Sequence, residues 1–446
     1  MNIKTDSRKV EPGDTFIAVK YLHDGHDYIE DAIKKGAVKI IAEKGEYSVD
    51  TLIVEDTHEY LVNYLKDNYW KEMKDLKIIG MTGTNGKTTT CYLLHKVLNN
   101  LGQKCAYIGT IGFYIENKIK DLSNTTPDIL EIYEMLLYTK EQGCNYVVME
   151  VSSHALALDR VKGIEFDCAI FSNLTEDHLD YHENMESYLK EKQKLFFMLR
   201  NDKLSILNKD SDYYDNFVKK ENKVISYGFN GGNYRVTDYH SSLTGSYFVI
   251  NDLDCYKTKL IGKHNIYNLL CIILFLKQLG IDEEKIKEEI STLECPKGRM
   301  DRIDYCDNLI IVDYAHTPDA VENVINCVKE LNPNHIYTII GCGGNRDKKK
   351  RPIMGRCASE NSDYVIFTSD NPRFEEPMAI IDDMIKGLDT KNFEVEVNRQ
   401  KAIVRGIQLL DKNDILLVLG KGHETYQIIG DQKIDMDDKE IILDSI

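Results

Sequence analysis

Short apolar runs alternate with longer amphipathic stretches along nearly the whole chain, and glycine and proline divide the pattern into three blocks. In the first, residues 1–75, strand-like pieces at 15–19, 40–42 and 52–54 are separated by helix-like ones. That block closes on a polar helical stretch, HEYLVNYLKDNYWKEM. The second, 76–295, opens on an apolar run at 76–81, directly before a Gly/Thr-rich loop and a predicted helix over 87–99, with Gly102 placed to cap its end. Further apolar runs follow at 145–151 and 168–171. This alternation predicts βαβ units around a mostly parallel sheet. From about 222 to 260 the pattern changes to alternating strands with turns, which predicts an antiparallel insert.

The third block, 296–446, repeats one figure four times: an apolar run ending in a polar cluster that contains Gly or Pro. Residues 309–312 lead to DYAHTPDA, 336–340 to GCGGNRDKKKRP, 364–367 to TSDNPRFEEP and 415–419 to GKGHE. In open α/β sheets ligands bind beyond the carboxyl ends of the strands, so these clusters predict a binding edge. The expected fold is α/β in three domains: a small N-terminal one, a central P-loop-type domain with a mostly parallel sheet and helices, and a C-terminal Rossmann-like α/β domain.

The length, 446 residues, fits that division at about 150 residues per domain. The 42% apolar and 29% charged content is that of a globular protein and excludes wholesale disorder. With 56 Lys+Arg against 73 Asp+Glu the net charge is −17, which tells against a nucleic-acid or anionic-membrane binder but permits a local basic pocket. The 11 cysteines include no CxxC pair, so neither a zinc ribbon nor a disulfide framework is expected. MNIKTDSRKV carries no apolar signal region and no membrane-spanning run occurs, so a cytoplasmic protein with reduced thiols is expected.

The loop GTNGKTTT carries the most specific chemistry. Gly83 and Gly86 let backbone N–H groups of the loop, with Thr84, Asn85 and Thr89 beside them, turn toward phosphate oxygens. Lys87 can reach the β/γ-phosphates, the Thr88 hydroxyl can ligate Mg²⁺, and the helix N-terminus adds positive partial charge. Met81 stands where the strict pattern G-x4-G-K-[ST] has its first Gly. Glu150, ending the run YVVMEV, is placed either to hold Mg²⁺ or to cap the following turn. NLTEDHLDYH, after the next strand, gathers acids, amides and imidazoles around Asp177, His178, Asp180 and His182. Lys192 lies in YLKEKQKLF, where nothing in the residues separates it from Lys190 or Lys194.

In order, GTNGKTTT, MEVSSHAL, NLTEDHLDYH, GKHNIYN, GRM, VDYAHTPDA, GCGGNRDKKKRPIMG, SDNPRFEEP and GKGHETYQ resemble the Mur ligases, ATP-dependent amide-bond synthetases of peptidoglycan precursor assembly. The N-terminal run DSRKVEPGDTFIAV resembles their UDP-sugar-binding domain. The most specific elements are similar to the member that adds the third amino acid. The resemblance implies that ATP phosphorylates the D-Glu γ-carboxyl of UDP-MurNAc-L-Ala-D-Glu, and that an amine of meso-2,6-diaminopimelate attacks the acyl phosphate. It implies that Lys87, Glu150, His178 and Lys192 form the catalytic group, with Thr88, Glu150, His178 and Lys192 around Mg²⁺ and Lys192 carbamylated. It further implies nucleotide contacts at Asn265, Arg299, Asp313 and His316, and muramoyl-dipeptide contacts at Ser7, Thr125, Thr126, Ser152 and Arg160. Amino-acid contacts are implied at Arg346, Asp370, Asn371, Arg373, Gly420 and Glu424, and a monomer is expected. Asn345 stands where the family usually has Asp, and His264 where it usually has Phe.

An Arg at 373 is physically sensible for diaminopimelate, because a guanidinium pairs bidentately with a distal carboxylate that lysine lacks. Taken alone, Arg373 also reads as a surface arginine after a Pro turn. Lysine addition by the same chemistry is the nearest rival. A folylpolyglutamate-type ligase would lack the DSR…PGD segment, and a non-catalytic amidotransferase partner would carry a Cys₄ zinc insertion that this chain does not have.

Overall fold

The run KIIGMT becomes the central strand of a parallel sheet because it is flanked on both edges: Lys77–Thr82 pairs with Phe166–Phe171 on one side and Tyr146–Glu150 on the other. Its last five residues are all buried, as expected of a strand covered on both faces. The structure, a computed structural model, describes residues 1–21 and 23–446; the side chain of Asp180 lies outside the description. The chain divides into two units, Met1–Tyr234 and Arg235–Ile446.

The first unit begins with a four-stranded parallel sheet, Ile3–Lys4, Thr15–Ile17, Lys39–Ala42 and Asp50–Ile53 in that order. It is packed around Phe16, Ile29, Ala32 and Ile40. The helix Thr57–Leu65, capped by the Asp56 side chain, widens into a π-type segment at Lys66–Trp70 and continues as a short α-turn at Lys71–Met73, so the polar stretch ending in KEM is helical throughout, as expected. In the main sheet, Cys105–Gly109 runs parallel beside Tyr146–Glu150 and turns into the short antiparallel strands Gly112–Tyr114 and Lys118–Lys120. On the other side follow Leu199–Asn208 and Lys223–Gly228, both parallel. The expected antiparallel insert is therefore shorter than the pattern suggests. Residues 225–228 are continuously buried and join the parallel sheet, whereas Tyr234–Ser242 alternates buried and exposed and starts an antiparallel meander.

In the second unit this meander continues through Gly245–Ile250 and Asp254–Thr258. The helix Lys263–Gln278 follows, buried almost all round. A six-stranded sheet then runs Asp301–Tyr305, Asn308–Asp313, Ile415–Leu419, Ile336–Ile340, Tyr364–Phe367, Phe393–Val395, with only the first strand antiparallel. Alternate residues enter two cores: Ile311, Ile340, Val365 and Leu417 on one face, Ile310, Ile339, Ile366 and Leu416 on the other. Both faces are thus covered, and the four polar clusters leave the sheet at its carboxyl edge, as the sequence pattern predicts.

Candidate active site

The loop after Lys77–Thr82 closes on itself through two glycines. Gly86 takes φ +89° to start the helix Lys87–Asn100. A Cβ on Gly83 would lie 2.0 Å from the Ser172 hydroxyl, so the backbone passes there only without a side chain. The loop is fastened to the next strand's end: Ser172 Oγ donates to Asn85 O at 2.6 Å and Asn85 N to Asn173 Oδ1 at 2.9 Å. Thr175 N donates to Thr84 Oγ1 at 3.0 Å.

Two lysines converge on one peptide oxygen. Lys87 Nζ donates to Gly83 O at 2.8 Å and Lys192 Nζ to the same oxygen at 2.7 Å. Lys192 is 1% exposed, and its ammonium sits 4.5 Å above the Tyr188 ring. Burial, with the Lys87 charge added, holds its amine well below the usual lysine range. Tyr188 in turn lies 3.3 Å from Thr84 through its hydroxyl, and burial pushes that phenol up to about 12. The three lysines of the helix Met185–Phe197 are now distinct. Lys190 is an exposed partner of Glu186 and Lys194 pairs with Glu191, while Lys192 alone points to the loop.

Glu150 is fully buried. Thr88 Oγ1 donates to its Oε2 at 2.9 Å, Thr110 Oγ1 to the same oxygen at 3.1 Å, and Thr110 N to Oε1 at 2.9 Å. Tyr107 donates to Oε1 as well. Thr88 and Glu150 make a hard, all-oxygen pair that suits Mg²⁺, an ion that commonly takes one or two protein oxygens and completes its shell with phosphate and water. His178 is half-exposed, at φ +54°, with its ring 4.8 Å from that of His154. Among the described residues no three His, Cys, Asp or Glu side chains are gathered in a metal-holding group.

Beside Glu150, Thr126 Oγ1 donates to Glu150 O at 2.8 Å and accepts from Ser152 N at 3.0 Å. Thr125 lies 3.1 Å from Thr110 through their hydroxyls. Arg160 donates to Thr126 O at 3.1 Å and pairs with Asp128 at 2.9 Å. Ser7 is buried in the N-terminal sheet region.

In the second unit Asp313 caps two backbone groups, Met300 N at 2.7 Å and Ala315 N at 2.8 Å. Burial raises its pKa and the neighbouring Arg299 charge opposes the rise. The Arg299 guanidinium covers the Tyr314 ring at 4.8 Å, and the His316 ring lies 4.7 Å from the same ring at an interplanar angle of 59°. Burial pushes the His316 pKa down. Asn265 donates to Ile261 O at 2.9 Å and accepts from Asn268.

The three remaining clusters meet around Asn371. Its Nδ2 donates to Glu424 Oε2 at 2.7 Å and its Oδ1 accepts from Ile428 N at 2.9 Å. Asp370 is buried, lies against Gly420, and has its pKa raised by burial against the pull of Arg399 and Lys421. Arg373, at φ +51°, donates through Nη1 to Gly344 O at 3.0 Å; its Nε and Nη2 have no protein partner among the described residues. Arg346 borders Gly343, next to the same guanidinium. Asn345 holds φ +52°, a conformation an amide tolerates, and accepts from Phe374 N.

Sequence reasoning missed Tyr107 and Thr110, which hold Glu150, and Lys421, which is fully buried beside Glu424. It also missed Arg351, which grips Glu375 through both terminal nitrogens and pulls that carboxyl down to about 2. The available signal for Lys421 was its place inside a cluster already marked as a binding edge.

Comparison with known proteins agrees along the whole chain. Residues 1–71 match the Mur ligase family catalytic domain, 81–276 the Mur ligase middle domain, and 298–422 the Mur ligase glutamate ligase domain. A UDP-N-acetylmuramoyl-L-alanyl-D-glutamate–2,6-diaminopimelate ligase of Clostridium perfringens is 42% identical over 460 residues, covering 99% of this chain and 94% of the relative. One from Fusobacterium nucleatum is 42% identical over 453 residues, covering 98% and 92%. A solved ligase structure of the same description superposes with a TM-score of 0.72 at 32% identity, covering 100% of this chain and 94% of that one. MurF ligase from Thermotoga maritima, in complex with ADP, shares the fold with a TM-score of 0.65 at 18% identity, covering 99% and 96%.

Proposed function

The chain belongs to the Mur ligase family, and from that membership we propose how it works as an ATP-dependent amide-forming ligase. It joins meso-2,6-diaminopimelate to the D-Glu of UDP-MurNAc-L-Ala-D-Glu in peptidoglycan precursor synthesis, releasing ADP and phosphate. The γ-carboxylate of D-Glu attacks the γ-phosphorus of ATP. The diaminopimelate amine then attacks the acyl carbon, and the tetrahedral intermediate expels phosphate and loses a proton to give the amide.

The observation that carries this reading is the convergence of the Lys87 and Lys192 side-chain nitrogens on one peptide oxygen of the glycine loop, beside the Thr88–Glu150 pair. A glycine loop at a helix N-terminus, with the Lys87 charge and a hydroxyl–carboxylate pair beside it, suits a polyphosphate. In this reading Gly83, Thr84, Asn85, Gly86 and Thr89 line the phosphates and Lys87 swings from Gly83 O to them. Thr88 and Glu150 would hold one Mg²⁺, which would supply charge neutralisation for the phosphates; His178 and Lys192 would serve a second. The depressed Lys192 amine supports carbamylation, because only a neutral amine adds CO₂: the nitrogen lone pair forms the N–C bond and a proton leaves to solvent.

The three blocks 1–75, 76–295 and 296–446 then serve UDP-sugar, ATP and amino acid. Ser7 faces the uridine end. Thr125, Thr126, Ser152 and Arg160 hold the dipeptide, Arg160 through its charge. Asn265, Arg299, Asp313 and His316 attend the nucleotide. Arg346, Asp370, Asn371, Arg373, Gly420 and Glu424 receive the amino acid, with the two uncommitted nitrogens of Arg373 as the fork for the distal carboxylate. This division requires one copy of the chain and small-molecule partners alone, and among the described residues no helix is long and apolar enough to cross a membrane.

The purified protein is expected to form ADP only when UDP-MurNAc-L-Ala-D-Glu and an amino acid are both present. Meso-diaminopimelate should be preferred over L-lysine and L-ornithine in parallel assays. Arg373→Ala should lower kcat/KM for diaminopimelate by about 10²-fold and leave that for lysine nearly unchanged. Faster turnover of lysine by the wild-type protein would defeat the Arg373 argument.

A further inference from the structure

A lysine with no exposed side chain is unusual, and Lys421, just beyond the strand Ile415–Leu419, is one. Its burial is tolerable because each of its three N–H donors has an acceptor: Tyr426 O, Glu424 Oε2 at 3.3 Å and Asn371 Oδ1 at 3.5 Å. The triangle fixes its neighbours. Asn371 cannot flip, because Oδ1 also accepts from Ile428 N and Nδ2 donates to Glu424. Every side-chain bond of Glu424 falls on Oε2, so Oε1 stays without a protein partner among the described residues.

The charge balance follows. A carboxylate with an ammonium 3.3 Å away acts on a third group as a dipole, not as a net charge. A lone distal ammonium, as in lysine, gains little from such a pair. A distal centre bearing both ammonium and carboxylate is itself neutral overall and can meet Oε1 with one group and Arg373 with the other.

We propose that Lys421 is a specificity-determining positioning residue, which neutralises Glu424, locks it to Asn371 and so favours a zwitterionic distal centre over a lone ammonium. This rests on the reading of the third block as a diamino-acid site. The test uses full-length protein with saturating ATP and UDP-MurNAc-L-Ala-D-Glu, varying meso-diaminopimelate or L-lysine, for wild type, Lys421→Met and Lys421→Arg. Lys421→Met should raise KM for diaminopimelate about tenfold with a much smaller change in kcat, and lower the diaminopimelate/lysine ratio of kcat/KM at least as much. KM for ATP should stay as in wild type. Lys421→Arg, which keeps the charge, should recover most of the preference. An unchanged ratio in Lys421→Met overturns the proposal, as does a Lys421→Arg variant that folds but discriminates no better than Lys421→Met. Should Lys421→Met not fold, retained preference in Lys421→Arg supports the charge role and lost preference overturns it. Wild-type protein that turns over neither amino acid would instead defeat the functional reading, and that result precedes any variant.

Discussion

Lys192→Ala is expected to fold and bind nucleotide but to lose activity by about 10³-fold, with short carboxylates such as formate or acetate restoring part of it. The expectation follows from the carbamylation proposed for this side chain. Burial and the Lys87 charge hold this amine, stacked on Tyr188, well below the usual lysine range, which favours the neutral form; in the proposed reading that form takes up CO₂ to present a carboxylate-like oxygen pair. Alanine removes that oxygen pair and leaves a slot with room for a small acid. Lys192→Met keeps the packing against Tyr188 but not the chemistry, so it should be as inactive as Lys192→Ala and more heat-stable. Lys190→Ala, on the exposed face of the same helix, is the control and should match wild type. Initial rates of ADP release with and without added formate, alongside melting temperatures, check the set. Wild-type rates in Lys192→Ala would remove Lys192 from the site.

Much of this site was legible in the chain, and the reasons differ by residue. The phosphate loop announces itself because the backbone geometry it needs restricts the residue types allowed, and Gly83 and Gly86 meet that need. Glu150 could be placed at a strand end but not assigned, since what decides its role is Tyr107 and Thr110, residues from another strand and its turn with no sequence mark of their own. Lys192 carried a signal that the composition of its segment hid. Tyr188, Leu189, Lys192, Leu195 and Phe196 are the buried residues of the helix, so Lys192 sits in the apolar stripe at i+4 from Tyr188 while Lys190 and Lys194 lie off it. A lysine in the apolar register is what separates it from its neighbours.

The fold shows the same division. Parallel strands buried on both faces read as continuous apolar runs, which is why all four strands leading to the third block's clusters were found. The strand at Lys223–Gly228 reads in the sequence as part of the antiparallel insert because its partner, Leu199–Asn208, begins with a polar stretch and gives no apolar run before residue 204. Partner choice is a tertiary property, and local alternation does not encode it.

The largest stability effect is expected far from the chemistry, at Asp438. Arg399 Nε donates to Asp438 Oδ1 at 2.8 Å and Nη2 to Oδ2 at 2.7 Å, and both side chains are fully buried. The same Nη2 donates to Leu419 O at 3.0 Å, the last residue of the strand that delivers Gly420 and Lys421. Asp438→Ala leaves a guanidinium buried without its anion, a change that costs about 3–5 kcal/mol. The pair itself need not be stabilising, because two charges were taken out of water to make it. Arg399→Met with Asp438→Ala together should therefore recover most of the loss, and chemical denaturation of Arg399→Met, Asp438→Ala and the double variant closes the cycle. Equal losses in Asp438→Ala and the double variant would show that the cost lies in the missing packing of the helix Asp438–Leu443 and not in the stranded charge. The position also has a kinetic reading. Burial raises the Asp370 pKa and the Arg399 charge is the first influence opposing that rise, so the two groups are electrostatically linked. In the proposed assignment of Asp370 to the amino acid, Asp438→Ala should consequently weaken diaminopimelate binding more than ATP binding, because an unpaired Arg399 charge acts more strongly on Asp370.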